Sequence, residues 1–226
     1  VYSIPILLNK QKVDDTILKK LNLKIKKPNL NDWKRVVKAK LLPEKEVNVS
    51  FVGKYTELKD SYKSINEALE HAGIQNKAKV NINFVEAEQI TSKNVRRVLK
   101  KSDAILVPGG FGERGIEGMI LACKYARENN VPYLGICLGM QIAIIEYARN
   151  VLKLKSANST EFDSSTKFPV IGLITEWSDI SGKKEKRTKN SDLGGTMRLG
   201  GQVCKLKKKS NSYKMYKKSE IIERHR

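Results

Sequence analysis

Between positions 47 and 152 short β-rich runs alternate with longer amphipathic ones, and this alternation restricts the possible folds more than any other feature of the chain. VNVSFV (47–52) and KVNINFV (79–85) have the composition of strands. In TELKDSYKSINEALEHAG (56–73), Leu58, Tyr62, Ile65, Ala68 and Leu69 fall on one helical face, with Gly73 as the expected stop. NVRRVLKK (94–101), GIEGMILACKYARENN (115–130) and LGMQIAIIEYARNVL (138–152) are expected helices, and DAILVP (103–108) and VPYLGI (131–136) are expected buried strands. Such an order predicts an α/β fold, an open, mostly parallel sheet flanked by helices, with ligands outside the carboxyl ends of the strands. Two glycine-rich turns, PGGFGERG (108–115) and GICLGM (135–140), fall at such ends. Beyond Asn158, FPVIGLITEW (168–177) and TMRLGGQVCKL (196–206) predict added antiparallel strands. Residues 1–45 contain helix-like pieces broken by Pro28 and Pro43 and no strand, as expected of a connector.

A formal charge of +20 raises nucleic-acid binding as one function. The lysines are scattered over the first 45 residues, over KKEKRTK (183–189) and over KLKKKSNSYKMYKK (205–218), without glycine-aromatic interleaving or a recognition helix. They read as solvated faces, and no specific nucleic-acid partner is expected. No run approaches the roughly 20 apolar residues that cross a bilayer. VYSIPILLNK lacks the features of a secretory signal, so a cytoplasmic protein with no membrane partner is expected. Three cysteines at wide spacing and two histidines support neither a disulfide framework nor a metal site.

LGICLGMQ (134–141) carries the chemistry. A cysteine between a strand and a helix, with glycines on both sides, is the thiol form of a nucleophile elbow. The turn lifts Cys137 to a helix N-terminus, where free N–H groups favour a thiolate, and the N–H of Leu138 faces a developing oxyanion. A second donor fits Gly110, where no side chain obstructs the backbone. A cysteine at a strand end is more often a small buried hydrophobe than a catalyst, which is how Cys123, inside an expected helix, and Cys204, inside an expected strand, are read.

VPGGFGERGIEGM, ARENN, YLGICLGMQ, NSTEF, ITEW, SDLGGTMRLG and ERHR, taken together and in this order, resemble the class I glutamine amidotransferase domain of the CTP synthase family. The elbow is shared with other amidotransferases, whereas NSTEF and SDLGGTMRLG are specific to this family. The resemblance covers 47–226 and implies a flavodoxin-like glutaminase domain over 46–226, with 1–45 as the end of a synthetase domain and the linker. It implies that Cys137 attacks the carboxamide of L-glutamine while Gly110 and Leu138 form the oxyanion hole. Gln141 and Glu161 would hold the amino-acid end of the substrate, and Phe111 would lie near the route of ammonia. The domain itself would need no cofactor. The whole enzyme would use ATP and Mg²⁺ to aminate UTP to CTP, with GTP as activator, as a tetramer. The family's base is a histidine in a C-terminal F-H-P-E segment that these residues do not contain. His71 reads as a surface residue and His225 is penultimate. The domain is therefore expected to be incomplete at its C-terminus and the chain alone inactive, with a non-catalytic amidotransferase-fold scaffold as the alternative.

Overall fold

The computed structural model of the chain describes residues 1–24, 28–54, 56, 59–172, 176–178, 184–186 and 200–225, of which 176–178, 184–186 and 225 by backbone alone. Two compact units result, Val1–Leu173 and Ile174–Arg226.

The first unit opens with helices α1 (Ile4–Lys10), α2 (Val13–Lys20) and α3 (Asn31–Leu41). Pro5 stands in the first turn of α1, where its missing N–H costs no helical bond. Neither α1 nor α2 buries a residue, and α3 buries only Val37. Trp33 Nε1 donates to the carbonyl of Tyr2 at 2.7 Å and the two rings stack, which ties the first residues to α3.

The sheet follows, with β1 (Lys45–Gly53), β2 (Ala78–Glu86), β3 (Ala104–Val107) and β4 (Tyr133–Gly135), all parallel, in the order β2-β1-β3-β4. Helices α4 (Lys63–Gln75), α5 (Val95–Leu99), α6 (Ile116–Glu128) and α7 (Leu138–Asn150) connect and follow the strands, as parallel pairing requires of its crossovers. Strand β1 serves two cores. Val49 and Phe51 join Leu106 beneath Tyr62, Ile65 and Leu69, while Val52 joins Ile105, Val107 and the buried faces of α6 and α7. Both faces of the sheet are thus covered, and β1 is apolar on every residue from Val49 to Val52 except Ser50. A short parallel pair, β5 (Ala157–Ser159) and β6 (Phe168–Ile171), completes the unit.

The α/β class with a mostly parallel sheet agrees with the sequence expectation, and four local expectations are corrected. Helix α4 runs past Gly73 to Gln75: a Cβ on Gly73 would lie 2.5 Å from the carbonyl oxygen of Ala78, so this glycine admits a strand rather than ending a helix. Ala68 is exposed instead of facing the core, while Leu58 lies outside the described residues. Strand β4 is an outer strand of the described sheet and not a buried one, with Leu134 55% exposed. The β5–β6 pair is parallel where an antiparallel addition was expected.

In the second unit β7 (Glu176–Ser178) pairs antiparallel with β8 (Lys184–Lys186), and β9 (Gly200–Lys205) pairs antiparallel with β10 (Glu220–His225). Helix α8 (Asn211–Tyr216) joins the latter two and is capped by Ser210, whose Oγ accepts the N–H of Tyr213. Antiparallel additions are thus present as the sequence suggests, β9 inside the 196–206 run and β7 at the end of the 168–177 run, while their partners β8 and β10 lie in segments not read as strands. Most of SDLGGTMRLG lies outside the described residues.

The chain leaves β1 for β2 on one side and returns to β3 on the other, so the strand order switches between β1 and β3. A crevice outside the carboxyl ends is expected at such a point. The backbone there consists of Gly53 at the end of β1 and Lys54 after it, 108–112 after β3, and 135–137 at the end of β4.

Candidate active site

The elbow is built from backbone contacts too close for side chains. A Cβ on Gly135 would lie 2.4 Å from the carbonyl of Gly139, and one on Gly139 would lie 2.1 Å from the carbonyl oxygen of Val107. The start of α7 therefore rests directly on β3 and β4. Ile136 N–H donates to the Val107 carbonyl at 2.9 Å, and Tyr133 Oη donates to the Gly139 carbonyl at 2.8 Å. Between these fixed points Cys137 must turn the chain from strand to helix in one step, at φ 53°, ψ −104°. Such a conformation costs a non-glycine residue about 1–3 kcal/mol and survives only where its surroundings over-determine it. Cys137 is exposed, whereas Leu138 beside it is 1% exposed. The thiol thus projects from the N-terminal end of a thirteen-residue helix, with the Leu138 N–H at the first helical position, where backbone donors have no intrahelical partner.

The loop after β3 runs alongside. A Cβ on Gly109 would lie 3.4 Å from Cys137 Cβ and 3.9 Å from its Sγ, and one on Gly110 would lie 3.2 Å from Leu138 Cδ2. Beyond them Gly112 adopts φ 73° with nothing within 4 Å of its Cβ position. Polar tethers hold this part of the loop instead. Lys54, 5% exposed, donates from Nζ to the carbonyls of Phe111 at 2.8 Å and Gly112 at 2.6 Å. Gly112 N–H donates to Glu161 Oε1 at 2.8 Å. Burial, and secondarily the Arg114 guanidinium, hold the Lys54 ammonium below its ordinary pKa, against the pull of the Glu161 and Glu88 carboxylates. Glu161 is itself placed by the turn after β5, where its N–H donates to Oγ of buried Ser159, and Arg149 on α7 anchors that strand through the Ala157 carbonyl.

Of the residues singled out in the sequence, Cys137, Gly110 and Leu138 lie together, and Glu161 meets the same loop through Gly112. Gln141 stands one turn along α7 with its Oε1 buried and without a hydrogen-bond partner. Phe111 projects from the loop, 76% exposed. Cys123 is buried in α6, and its burial, reinforced by the Glu146 carboxylate, pushes its thiol up to about 12. Cys204 is half-buried on β9. His71 is exposed on α4, edge-on to Tyr2 and 3.9 Å from Glu67, and the backbone of His225 pairs with Gly200. Lys54 is not among the residues the sequence singles out. Its one sequence signal is a lysine directly after an apolar strand run, SFVGK, at a predicted ligand-bearing end. Among the described residues no three His, Cys, Asp or Glu side chains converge as a metal site, and no helix is long and apolar enough to cross a membrane.

Comparisons with known proteins bear on this arrangement. The family model described as glutamine amidotransferase class-I matches residues 57–226. A solved structure from Trypanosoma brucei, described as the CTPS glutaminase domain with bound acivicin, is similar at 37% sequence identity and a TM-score of 0.67. The match covers 79% of this chain and 66% of the other, so the chain spans just under two thirds of that relative's length.

Proposed function

Since the chain belongs to the class I glutamine amidotransferase family, we propose that it is the glutaminase part of a CTP synthase, hydrolysing L-glutamine at Cys137 and supplying ammonia to a synthetase domain of the same polypeptide. The observation that carries this is the exposed thiol held at a strained elbow, beside a glycine loop and over a helix N-terminus. The likeness to the trypanosomal glutaminase structure supports it.

The Cys137 sulfur adds to the carboxamide carbon, and the oxygen that becomes negative accepts hydrogen bonds from the Leu138 and Gly110 N–H groups. Collapse of the adduct breaks the C–N bond. The thiol proton ends on the departing nitrogen, which leaves as ammonia, and a thioester remains. Water then adds to the thioester, releasing glutamate and restoring the thiol. In the family a histidine ferries these protons; His71, held with Tyr2 and Glu67, does not stand beside Cys137. Glu161 suits the substrate ammonium by charge, and Gln141, whose Oε1 lacks a partner, suits the amino-acid end by hydrogen bonding. Phe111 is assigned to the rim where ammonia leaves.

ATP and Mg²⁺ for amination of UTP, GTP as activator, tetrameric assembly and a cytoplasmic location belong to the same proposal through the family resemblance alone.

An electrophilic glutamine analogue tests the assignment. At pH 8 it is expected to label Cys137 and to leave Cys123, whose thiol stays protonated well above that pH, and Cys204 essentially unmodified. Peptide mapping that finds the three labelled alike, or Cys137 spared, would remove Cys137 as the nucleophile.

A further inference from the structure

We propose that Lys54 is a positioning residue for glutamine hydrolysis: its ammonium, seated at the carboxyl end of β1, fixes the 109–112 loop so that the loop's donor stands ready beside Cys137. The inference rests on the glutaminase function proposed above and extends it to a residue that does not touch the substrate.

The Phe111 carbonyl and the Gly112 N–H belong to one planar trans peptide and point in opposite directions. Lys54 Nζ holds the carbonyl and Glu161 Oε1 holds the N–H, both at 2.8 Å. Turning this peptide in either sense breaks a hydrogen bond to a charged group, the stronger kind. The second bond from Lys54, to the Gly112 carbonyl at 2.6 Å, fixes the next peptide as well. Side-chain packing cannot do this work at Gly112, which has no side chain, open space at its Cβ position and a backbone in the left-handed region. The anchor is rigid in turn: β1 pairs with β2 as far as Gly53↔Glu86, and the Lys54 carbonyl accepts a hydrogen bond from Tyr62 Oη. A lysine buried to this degree is rare unless its charge is met by acceptors, and here the acceptors are the loop's own carbonyls. An oxyanion donor is effective only when oriented before the charge develops. By holding 111–112, Lys54 restricts the adjoining Gly110 and Gly109, the latter with its Cβ position 3.9 Å from the Cys137 sulfur.

The test uses the full-length enzyme with Lys54→Met and Lys54→Arg. Lys54→Met is expected to lower kcat for glutamine hydrolysis about tenfold to a hundredfold, with a much smaller change in KM, because the loss falls on the transition state. Synthesis from free ammonia should be unchanged, and Lys54→Arg should recover part of the loss. Two alkylations of Cys137 separate positioning from mere folding. The glutamine-shaped electrophile should react more slowly with Lys54→Met, while iodoacetamide, which needs only an accessible thiol, should react as in the parent. Unchanged glutamine turnover in Lys54→Met overturns the proposal, and so does equal slowing of both alkylations, which would make Lys54 a residue of the fold only. A parent enzyme that neither hydrolyses glutamine nor takes up the analogue at Cys137 would defeat the glutaminase assignment instead, before Lys54 is at issue.

Discussion

The two glycine-rich turns at the strand ends use the same amino acid for opposite purposes. In the elbow, backbone atoms stand 2.4 Å from the Cβ position of Gly135 and 2.1 Å from that of Gly139, and the turn is fixed by what it excludes. In the loop after β3, nothing lies within 4 Å of the Cβ position of Gly112 and that of Gly110 meets only the tip of the Leu138 side chain, and the turn is fixed by charged groups that reach in from elsewhere. The nucleophile is therefore held by sterics and its companion loop by hydrogen bonds. A site so divided keeps one half rigid and leaves the other adjustable by single polar substitutions.

The largest effect is expected from adding a methyl group to the elbow. Gly139→Ala places a Cβ 2.1 Å from the Val107 carbonyl oxygen and 2.9 Å from its carbon, and neither atom can yield without separating α7 from β3. The cost should reach or exceed the upper end of the ~1–3 kcal/mol typical of overpacking, read as a fall in melting temperature or a failure to accumulate as folded protein. A Gly139→Ala variant as stable as the parent would show that the elbow is not fixed by space.

The loop should respond to chemistry and not to size. Gly110→Pro deletes the proposed donor and is expected to cost about a hundredfold to a thousandfold in glutamine-dependent turnover, with ammonia-dependent synthesis spared as the check on folding. Gly110→Ala keeps the N–H and asks only the Leu138 Cδ2 methyl, 3.2 Å away, to move a few tenths of an ångström. Its effect on stability should stay under about 1 kcal/mol, within the range of tolerated substitutions. Equal damage from both would mean that the loop, like the elbow, is set by space.

What can be read in the sequence divides along the same line. The elbow is legible directly, because its determinants, Gly135, Cys137 and Gly139, lie within five residues and their consequence is local. The strands and helices from Lys45 to Asn150 are legible through their periodicity, to within a few residues at their ends except for α4, which starts at Lys63 where a helix from 56 was expected. Gly73 misleads because a glycine near a helix end and a glycine beneath a crossing strand look alike in sequence; only the Ala78 carbonyl tells them apart. Leu134 misleads because an apolar strand run does not say which neighbours cover it. The tethers are out of reach for a stronger reason. Lys54, Gly112 and Glu161 follow three different strands and meet only once the sheet has formed, and a lysine, a glycine and a glutamate at those separations carry no pattern.

The burial of Lys54 has a further consequence, in the protein's response to alkali. Its pKa is depressed, so the ammonium is lost at a lower pH than that of a lysine in water, and with it go the donors on the Phe111 and Gly112 carbonyls. Over that interval the unfolded chain still carries the proton that the folded chain has released, and the contribution of this group to global stability rises with pH. Glutamine hydrolysis should therefore acquire an alkaline limit where the protein itself is not coming apart, a decline of function that a thermal melt at the same pH would not register.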